Sequence, residues 1–180
     1  MKAKRIRSII IIDGSNLYYK LKSFGIRETF DFSYNKWIQT LLDGSKLIGK
    51  YYCIGKIKAD QKNKKAVKMM AKQQSLVTRL IKDGFIIQYG YLLKSGGRYH
   101  EKGVDVQMAV DMMKSIYKKK CERVILISSD SDLIPAITEI QNEDGEVVYV
   151  GFKNQESRAL LKSCKRSILL EKKNVEGFAK

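Results

Sequence analysis

Aspartates follow directly on two apolar runs, and a third sits on what reads as the apolar face of a helix. Asp13 ends the run Ile9–Ile12 in the context Ile12-Asp13-Gly14-Ser15-Asn16, with Gly14 permitting a tight turn into a helix. Asp130 follows Val124-Ile-Leu-Ile-Ser-Ser, and Asp132 comes two residues later. The ordinary alternative for each is a helix cap, with Asp132 or Ser131 capping a helix that begins at Leu133. Neighbouring strands that both end in Asp bring like charges together, which costs free energy unless a cation lies between them. Asp105 is more telling by itself. On a helical wheel of Val104–Tyr117, Met108, Ala109, Met112 and Ile116 form one apolar arc, and Asp105 falls near its middle. An unpartnered carboxylate buried there is expensive, so the position points to a metal ligand or a charge partner. Asp111 falls near the polar edge of the same wheel, where a solvated or supporting role is expected. Grouped carboxylates bind Mg²⁺ or Mn²⁺, hard cations that prefer oxygen. Such a site suits phosphodiester hydrolysis: one ion acidifies a bound water, and a second, roughly 4 Å away, stabilises the leaving oxygen. No histidine is needed, and His100, the chain's one histidine, reads as a loop residue.

The elements that must position these acids are legible in the pattern. Ile6–Ile12 is a β-branched run suited to a strand buried on both faces. Lys50–Ile54, Phe85–Leu93, Val124–Ser128 and Val147–Gly151 read as further strands, and Ser167–Leu170 as an edge strand. Between them Lys65–Lys82 carries Val67, Met70, Val77, Leu80 and Ile81 at helical spacing, and Asp132–Asn142 carries Leu133, Ala136, Ile137 and Ile140. Pro135 suits a first helical turn, which has no use for its missing N–H. This alternation predicts an α/β fold, a three-layer α/β/α arrangement around a mostly parallel sheet. Ligands of such sheets bind beyond the carboxyl ends of the strands, where Asp13 and Asp130 stand. No repeat or linker divides the 180 residues, so residues 1–180 are expected to form one domain. Its core is expected over about 6–151, followed by a C-terminal helix and the edge strand in 152–180.

Composition narrows the partner. Lys and Arg total 35 against 19 Asp and Glu, a formal charge of +16, which favours a polyanion. No apolar run approaches the roughly 20 residues of a membrane span, and the apolar stretch after the basic opening stops at Asp13, too short for a secretory leader. The three cysteines, Cys53, Cys121 and Cys164, lie apart without C-x-x-C spacing; a reducing cytoplasm is expected. Lys46–Lys72 is a lysine-rich stretch whose acid is Asp60 alone. Its Lys56, Lys58, Lys62, Lys64, Lys65 and Lys68, with Lys94 and Arg98 beside Gly96-Gly97, are candidate phosphate contacts, the latter two on a mobile basic loop. Lys114, Lys118, Lys119, Lys120 and Arg123 form a further cluster. Tyr18, Tyr19 and Tyr99 are available to stack on bases or to pack in the core. Gly44–Lys50 imitates the start of a phosphate-binding P-loop, but Tyr51 replaces the Ser/Thr that holds Mg²⁺ and the segment precedes a strand. No G-x-G-x-x-G follows the first strand, against a dinucleotide site, and Asp13-Gly14-Ser15 lacks the second Asp of an aspartyl-phosphate phosphatase.

Three blocks carry a family resemblance: Ile10-Ile-Ile-Asp-Gly-Ser-Asn-Leu, Lys102-Gly-Val-Asp-Val-Gln-Met-Ala-Val-Asp111 and Ser128-Ser-Asp-Ser-Asp-Leu-Ile-Pro-Ala136. In this order they resemble the signatures of NYN-domain proteins, more narrowly the LabA-like branch, within the PIN-like nuclease superfamily. Gly145–Gly151 resembles that family's last core strand. The resemblance implies a Rossmann-like domain and a metal-dependent endoribonuclease, a hydrolase of RNA phosphodiesters, using Mg²⁺ or Mn²⁺. By motif position Asp13, Asp105 and Asp130 would bind the metal and Asp132 would be a further catalytic acid. Asn16 would support the first motif. Ser129 stands where many relatives carry glycine, and its hydroxyl would either crowd the site slightly or hydrogen-bond a phosphate; Lys102, at the entry to the Asp105 helix, either faces the scissile phosphate or is simply solvated. The expected partner is single-stranded RNA, with no membrane; a homo-oligomer is compatible. The rival from another class is an RNA- or protein-binding regulatory module that retains the NYN site in idle form.

Overall fold

The computed structural model describes residues 5–26, 31–58, 62–95 and 98–179; for 91–95 and 98–101 the backbone alone is described. The run of isoleucines dictates the middle of the structure. In β1 (Arg7–Asp13) alternation sends Ile10 and Ile12 to one face and Ile9 and Ile11 to the other, all at 2% exposure or less. Burying each such side chain contributes roughly 1.5–3 kcal/mol, so a strand of this kind demands a layer on both sides.

The first layer is α1 (Gly14–Ser23), α2 (Tyr34–Gln39) and α3 (Lys64–Lys82), packed with the Ile10 and Ile12 face. The second is α4 (Val104–Tyr117), α5 (Ile134–Asn142) and α6 (Arg158–Ser163), packed with Ile9 and Ile11. The remaining strands are β2 (Lys46–Ile54), β3 (Ile86–Tyr89), β4 (Tyr91–Ser95), β5 (Arg98–Lys102), β6 (Arg123–Ile127), β7 (Glu146–Phe152) and β8 (Arg166–Leu170). Six of the eight strands, β1 among them, pair in parallel in the order β3-β2-β1-β6-β7-β8. The expected α/β/α architecture is therefore present, with a main sheet parallel throughout. From β1 the chain winds outward to β2 and β3, then returns to the other side for β6, β7 and β8. A sheet wound this way opens a crevice where the direction reverses, here between the carboxyl ends of β1 and β6.

Several local expectations change. The run Phe85–Leu93 is not one strand: β3 ends at Tyr89, and after Gly90 the chain leaves the sheet to form β4, which pairs antiparallel with β5. Glycine weakens a strand and favours such a break. The stretch expected as a loop around Lys94–Lys102 is therefore a hairpin, with His100 opposite Leu93 within it; Gly96 and Gly97 lie outside the described residues. β2 begins at Lys46 rather than Lys50, pairing with Arg7, which disposes of the P-loop imitation. α2 has no counterpart in the sequence reading; its Trp37 and Ile38 are fully buried. In α3 only Leu76, Val77 and Leu80 are buried, whereas Met70 (39%) and Ile81 (57%) are exposed. The amphipathic pattern is real, but the helix's first half projects beyond the layer it covers. No described helix is long and apolar enough to cross a membrane.

Candidate active site

Asp13 is the last residue of β1 and the N-cap of α1. Its Oδ1 accepts the Asn16 amide at 2.9 Å and its Oδ2 accepts the Ser128 hydroxyl at 3.1 Å. Support by Asn16 thus comes from its backbone. Gly14 does not serve an unusual turn; it is the only residue type that fits, because a Cβ there would lie 2.4 Å from the buried ring of Tyr52. Across the crevice, Ser128 follows β6 and is 1% exposed. Its hydroxyl also accepts the Asp130 amide at 3.1 Å, so one buried side chain ties the two acidic strand ends together. Asp130, not Ser131 or Asp132, is the cap here: its Oδ1 accepts the Asp132 amide at 3.0 Å, opening a 3₁₀ turn over Ser131–Leu133 that leads into α5. Pro135 sits in the first turn of α5, as its chemistry requires.

Burial raises the proton affinity of the Asp13 carboxyl, and the charge of Asp130 raises it further; the Asn16 amide, the Ser128 hydroxyl and the Ser15 amide oppose this in part. The pair therefore concentrates negative charge in a poorly solvated place.

Asp105 lies in the first turn of α4, which follows Gly103, a residue at φ 77° that favours glycine. A helix feeding a parallel strand starts at the carboxyl edge of the sheet, and α4 packs against the Ser131–Leu133 turn, so Asp105 shares an edge with Asp13 and Asp130. It is half-buried and has no hydrogen bond or ion pair among the described residues. The buried arc of α4 is Met108, Asp111, Met112, Ser115 and Ile116, turned by about 45° from the purely apolar arc. Asp111, expected at the solvated edge, is consequently buried, with Gln107 donating to it at 3.1 Å. Between Asp111 and Asp13 lies Cys53, whose thiol is pushed up to about 12 by burial and by both acids, which makes it inert. The buried acid could have been found only by weighing Ser115 with the apolar residues.

The remaining candidates divide by place. Asp132 and Lys102 are exposed on the rim, and Ser129 is half-buried. Lys56 and Lys58 are exposed on the segment leaving β2 at the acidic edge. Gln73 of α3 fixes that segment, donating to the Gly55 carbonyl at 2.6 Å and accepting the Ile57 amide at 2.8 Å. Lys62 precedes α3, and Lys64, Lys65 and Lys68 stand in its opening turns, all exposed. Lys94 and Arg98 sit on the hairpin, their side chains outside the described residues. Lys50 is excluded as a ligand contact: it donates to Asn35 Oδ1 at 2.8 Å and to the Asp83 carbonyl, and burial lowers its proton affinity. The Lys114–Arg123 cluster lies at the opposite edge of the sheet, where α4 ends and β6 begins, and its Arg123 is paired with Glu146 at 2.6 Å.

Comparison with known proteins agrees with this fold. The NYN domain family profile matches residues 7–171. The chain belongs to the NYN domain family. It shares that family's PIN-like, Rossmann-type fold and its place among nuclease-related domains. No curated protein matches it. A solved structure, the protein of unknown function VPA0982 from Vibrio parahaemolyticus RIMD 2210633, is similar in fold at TM-score 0.70 and 19% identity, covering 94% of this chain and 96% of that one. NYN-type sites take divalent cations, and the donors present are hard oxygens. Among the described residues, no group of three His, Cys, Asp or Glu side chains stands close enough to enclose a metal. Asp13 and Asp130 together offer one or two carboxylates, the number with which a largely hydrated divalent cation is commonly held.

Proposed function

We propose that this NYN domain, of the LabA-like branch, is a metal-dependent endoribonuclease that hydrolyses phosphodiesters of single-stranded RNA. The observation that carries the reading is the Asp13–Ser128–Asp130 link at the point where the sheet reverses its winding. Two half-buried strand-end aspartates brought together by one buried serine repel each other, beyond what capping their turns requires, and their surplus negative charge suits Mg²⁺ or Mn²⁺.

Asp13 and Asp130 would hold the ion, with Asp105 approaching from α4 as a third ligand. When bound, the ion supplies an acidified water and neutralises charge on the leaving oxygen. Ser128 keeps Asp13 Oδ2 turned toward the crevice. The Asn16 amide occupies Asp13 Oδ1 and fixes the carboxylate's orientation. Asp132, Ser129 and Lys102, on the rim, meet the strand as it arrives, Lys102 with a charge complementary to phosphate. Lys56, Lys58, Lys62, Lys64, Lys65 and Lys68 hold the backbone beside β2, contacts that position RNA without reading sequence; Lys94 and Arg98 on the hairpin extend them. A chain of this charge, with all three cysteines buried and unpaired, fits an RNA partner in a reducing cytoplasm.

One observation favours a second reading, a regulatory RNA- or protein-binding module with an idle site: the described acids do not close into a three-ligand group. Mn²⁺ titration separates the two. An active nuclease shows a rise in melting temperature together with cleavage of labelled single-stranded RNA. Stabilisation without cleavage assigns the idle module, and neither effect refutes the metal site altogether.

A further inference from the structure

The acidic crevice has a second flank. α1 starts against Tyr52 and Cys53 of β2 and runs to the other side, where its far end is pinned to the segment after β7. There Lys20 Nζ donates to the Gln155 carbonyl at 2.6 Å and Gln155 Nε2 donates to Ser23 Oγ at 2.8 Å. Leu17 and Leu21 face the core, which leaves Ser15, Tyr18, Tyr19 and Lys22 along the outer face, all exposed. Tyr18 is 40% and Tyr19 66% exposed, and their rings meet edge to face at 5.4 Å and 73°. Other exposed tyrosines have partners: Tyr117 bonds Glu139 at 2.6 Å, and Tyr89 carries the Lys56 ammonium. Tyr18 and Tyr19 have only each other among the described residues. No acidic residue lies on α1, which adds Lys20 and Lys22 to the positive field.

We propose that Tyr18 and Tyr19 form a base-stacking corner for single-stranded RNA, on the flank of the crevice opposite the lysine-rich arm. This rests on the reading above and extends it, because a strand cut at Asp13 and Asp130 must leave the crevice on both sides. Lysines hold its phosphates beside β2, and the tyrosines hold a base beside β1. Rings at a steep angle cannot sandwich two successive bases; they hold one, flat against Tyr19 with Tyr18 at its edge. The corner stands about one and a half helical turns from Asp13, close enough to fix the register of the strand over the acids. A stack of this kind accepts any base, so it orders the strand without making the site sequence-specific.

The test uses the full chain in chelator with single-stranded RNAs that carry one abasic nucleotide at successive positions, read by fluorescence anisotropy. The wild type should lose about tenfold in affinity at one position only. Tyr19→Leu should bind intact RNA about tenfold more weakly, should no longer sense that abasic position, and should melt as the wild type does. Tyr19→Phe should retain wild-type behaviour, since stacking needs the ring and not the hydroxyl. Wild-type affinity in Tyr19→Leu, or an abasic penalty that survives it, overturns the corner and leaves that face to a protein partner. Failure of the wild type to bind RNA at all overturns both this proposal and the nuclease reading.

Discussion

Replacing Ser128 by Ala removes one hydroxyl that performs two tasks, and the effect should depend on pH. Ser128 is 1% exposed, so water does not take its place. The variant loses a bond to the Asp13 carboxylate, worth about 1.5–3 kcal/mol when the acceptor is charged, and one from the Asp130 amide, worth about 0.5–1.5 kcal/mol. The expected loss is about 3 kcal/mol near pH 8, which lowers Tm by about 9 °C in a chain of this size. The sign with pH follows from Asp13. Its proton affinity is raised by burial, and Ser128 holds that rise in check. A carboxyl with a raised folded-state pKa contributes stability below its ordinary range, and loses it as pH climbs through the folded value. Without Ser128 the folded value climbs further and more stability is lost, so the gap between variant and wild type widens as pH rises. Toward the acid end of the range Asp13 takes up its proton more readily than an ordinary aspartate, so the lost bond becomes a neutral one and the deficit falls to about half. Thermal unfolding followed by circular dichroism in chelator, from pH 4 to pH 8, measures this directly. Ser128→Thr keeps the hydroxyl and should recover most of the gap at high pH. A deficit of equal size at both ends of the range would show that Ser128 does not hold an ionised Asp13, and the description of the site would fall with it.

Further perturbations separate chemistry, binding and packing. Asp13→Asn, Asp105→Asn and Asp130→Asn should each abolish metal-dependent cleavage of labelled RNA while leaving binding largely intact, and Asp13→Asn should raise Tm in chelator at neutral pH by removing a buried charge; full activity in Asp105→Asn would remove α4 from the site. Replacing Lys62, Lys64 and Lys65 together by Gln should flatten the salt dependence of RNA affinity by about 2 in log–log slope, with turnover at saturating RNA unchanged; an unaltered slope moves the RNA path to the hairpin. Gly14→Ala should lower Tm by about 6 °C or more, because its methyl meets the Tyr52 ring inside the core, where the ring cannot swing aside; a neutral outcome would mean the core yields there.

Much of the frame is written in the short-range pattern because burial on both faces leaves an unambiguous mark. The isoleucines before Asp13 and the apolar run before Ser128 read as strands and are strands, and the edge position of β8 follows from its shorter, more polar run. The hairpin was illegible for a different reason. Tyr91–Leu93 continues the apolar tone of Ile86–Tyr89, and periodicity carries no information about which sheet a strand joins; a glycine at position 90 was the sole mark of the break. α2 is short, and its burial comes from Trp37 and Ile38 rather than from a repeating stripe.

At the site, residues that end strands were visible and residues that connect them were not. Asp13 and Asp130 announce themselves because a charge after an apolar strand interrupts a strong signal. Ser128 does not, since a buried serine at a strand end is unremarkable until its hydroxyl proves to reach both acids. Asp111 marks the limit of wheel arguments. A wheel built on apolarity alone places the inward direction at the centre of the hydrophobic arc, whereas packing turned α4 toward Asp111 and Ser115. That rotation leaves Asp105 half-buried near the margin of the buried arc rather than at its centre. On the proposed function that place suits a carboxylate that takes up a hydrated ion, since full burial would leave its charge uncompensated until the ion arrived. Asp111, shielded by Gln107, faces the interior instead, where its charge bears on Tyr51 and Cys53. The two aspartates of α4 are thus divided by the helix's rotation, one toward the crevice edge and one into the layer behind it.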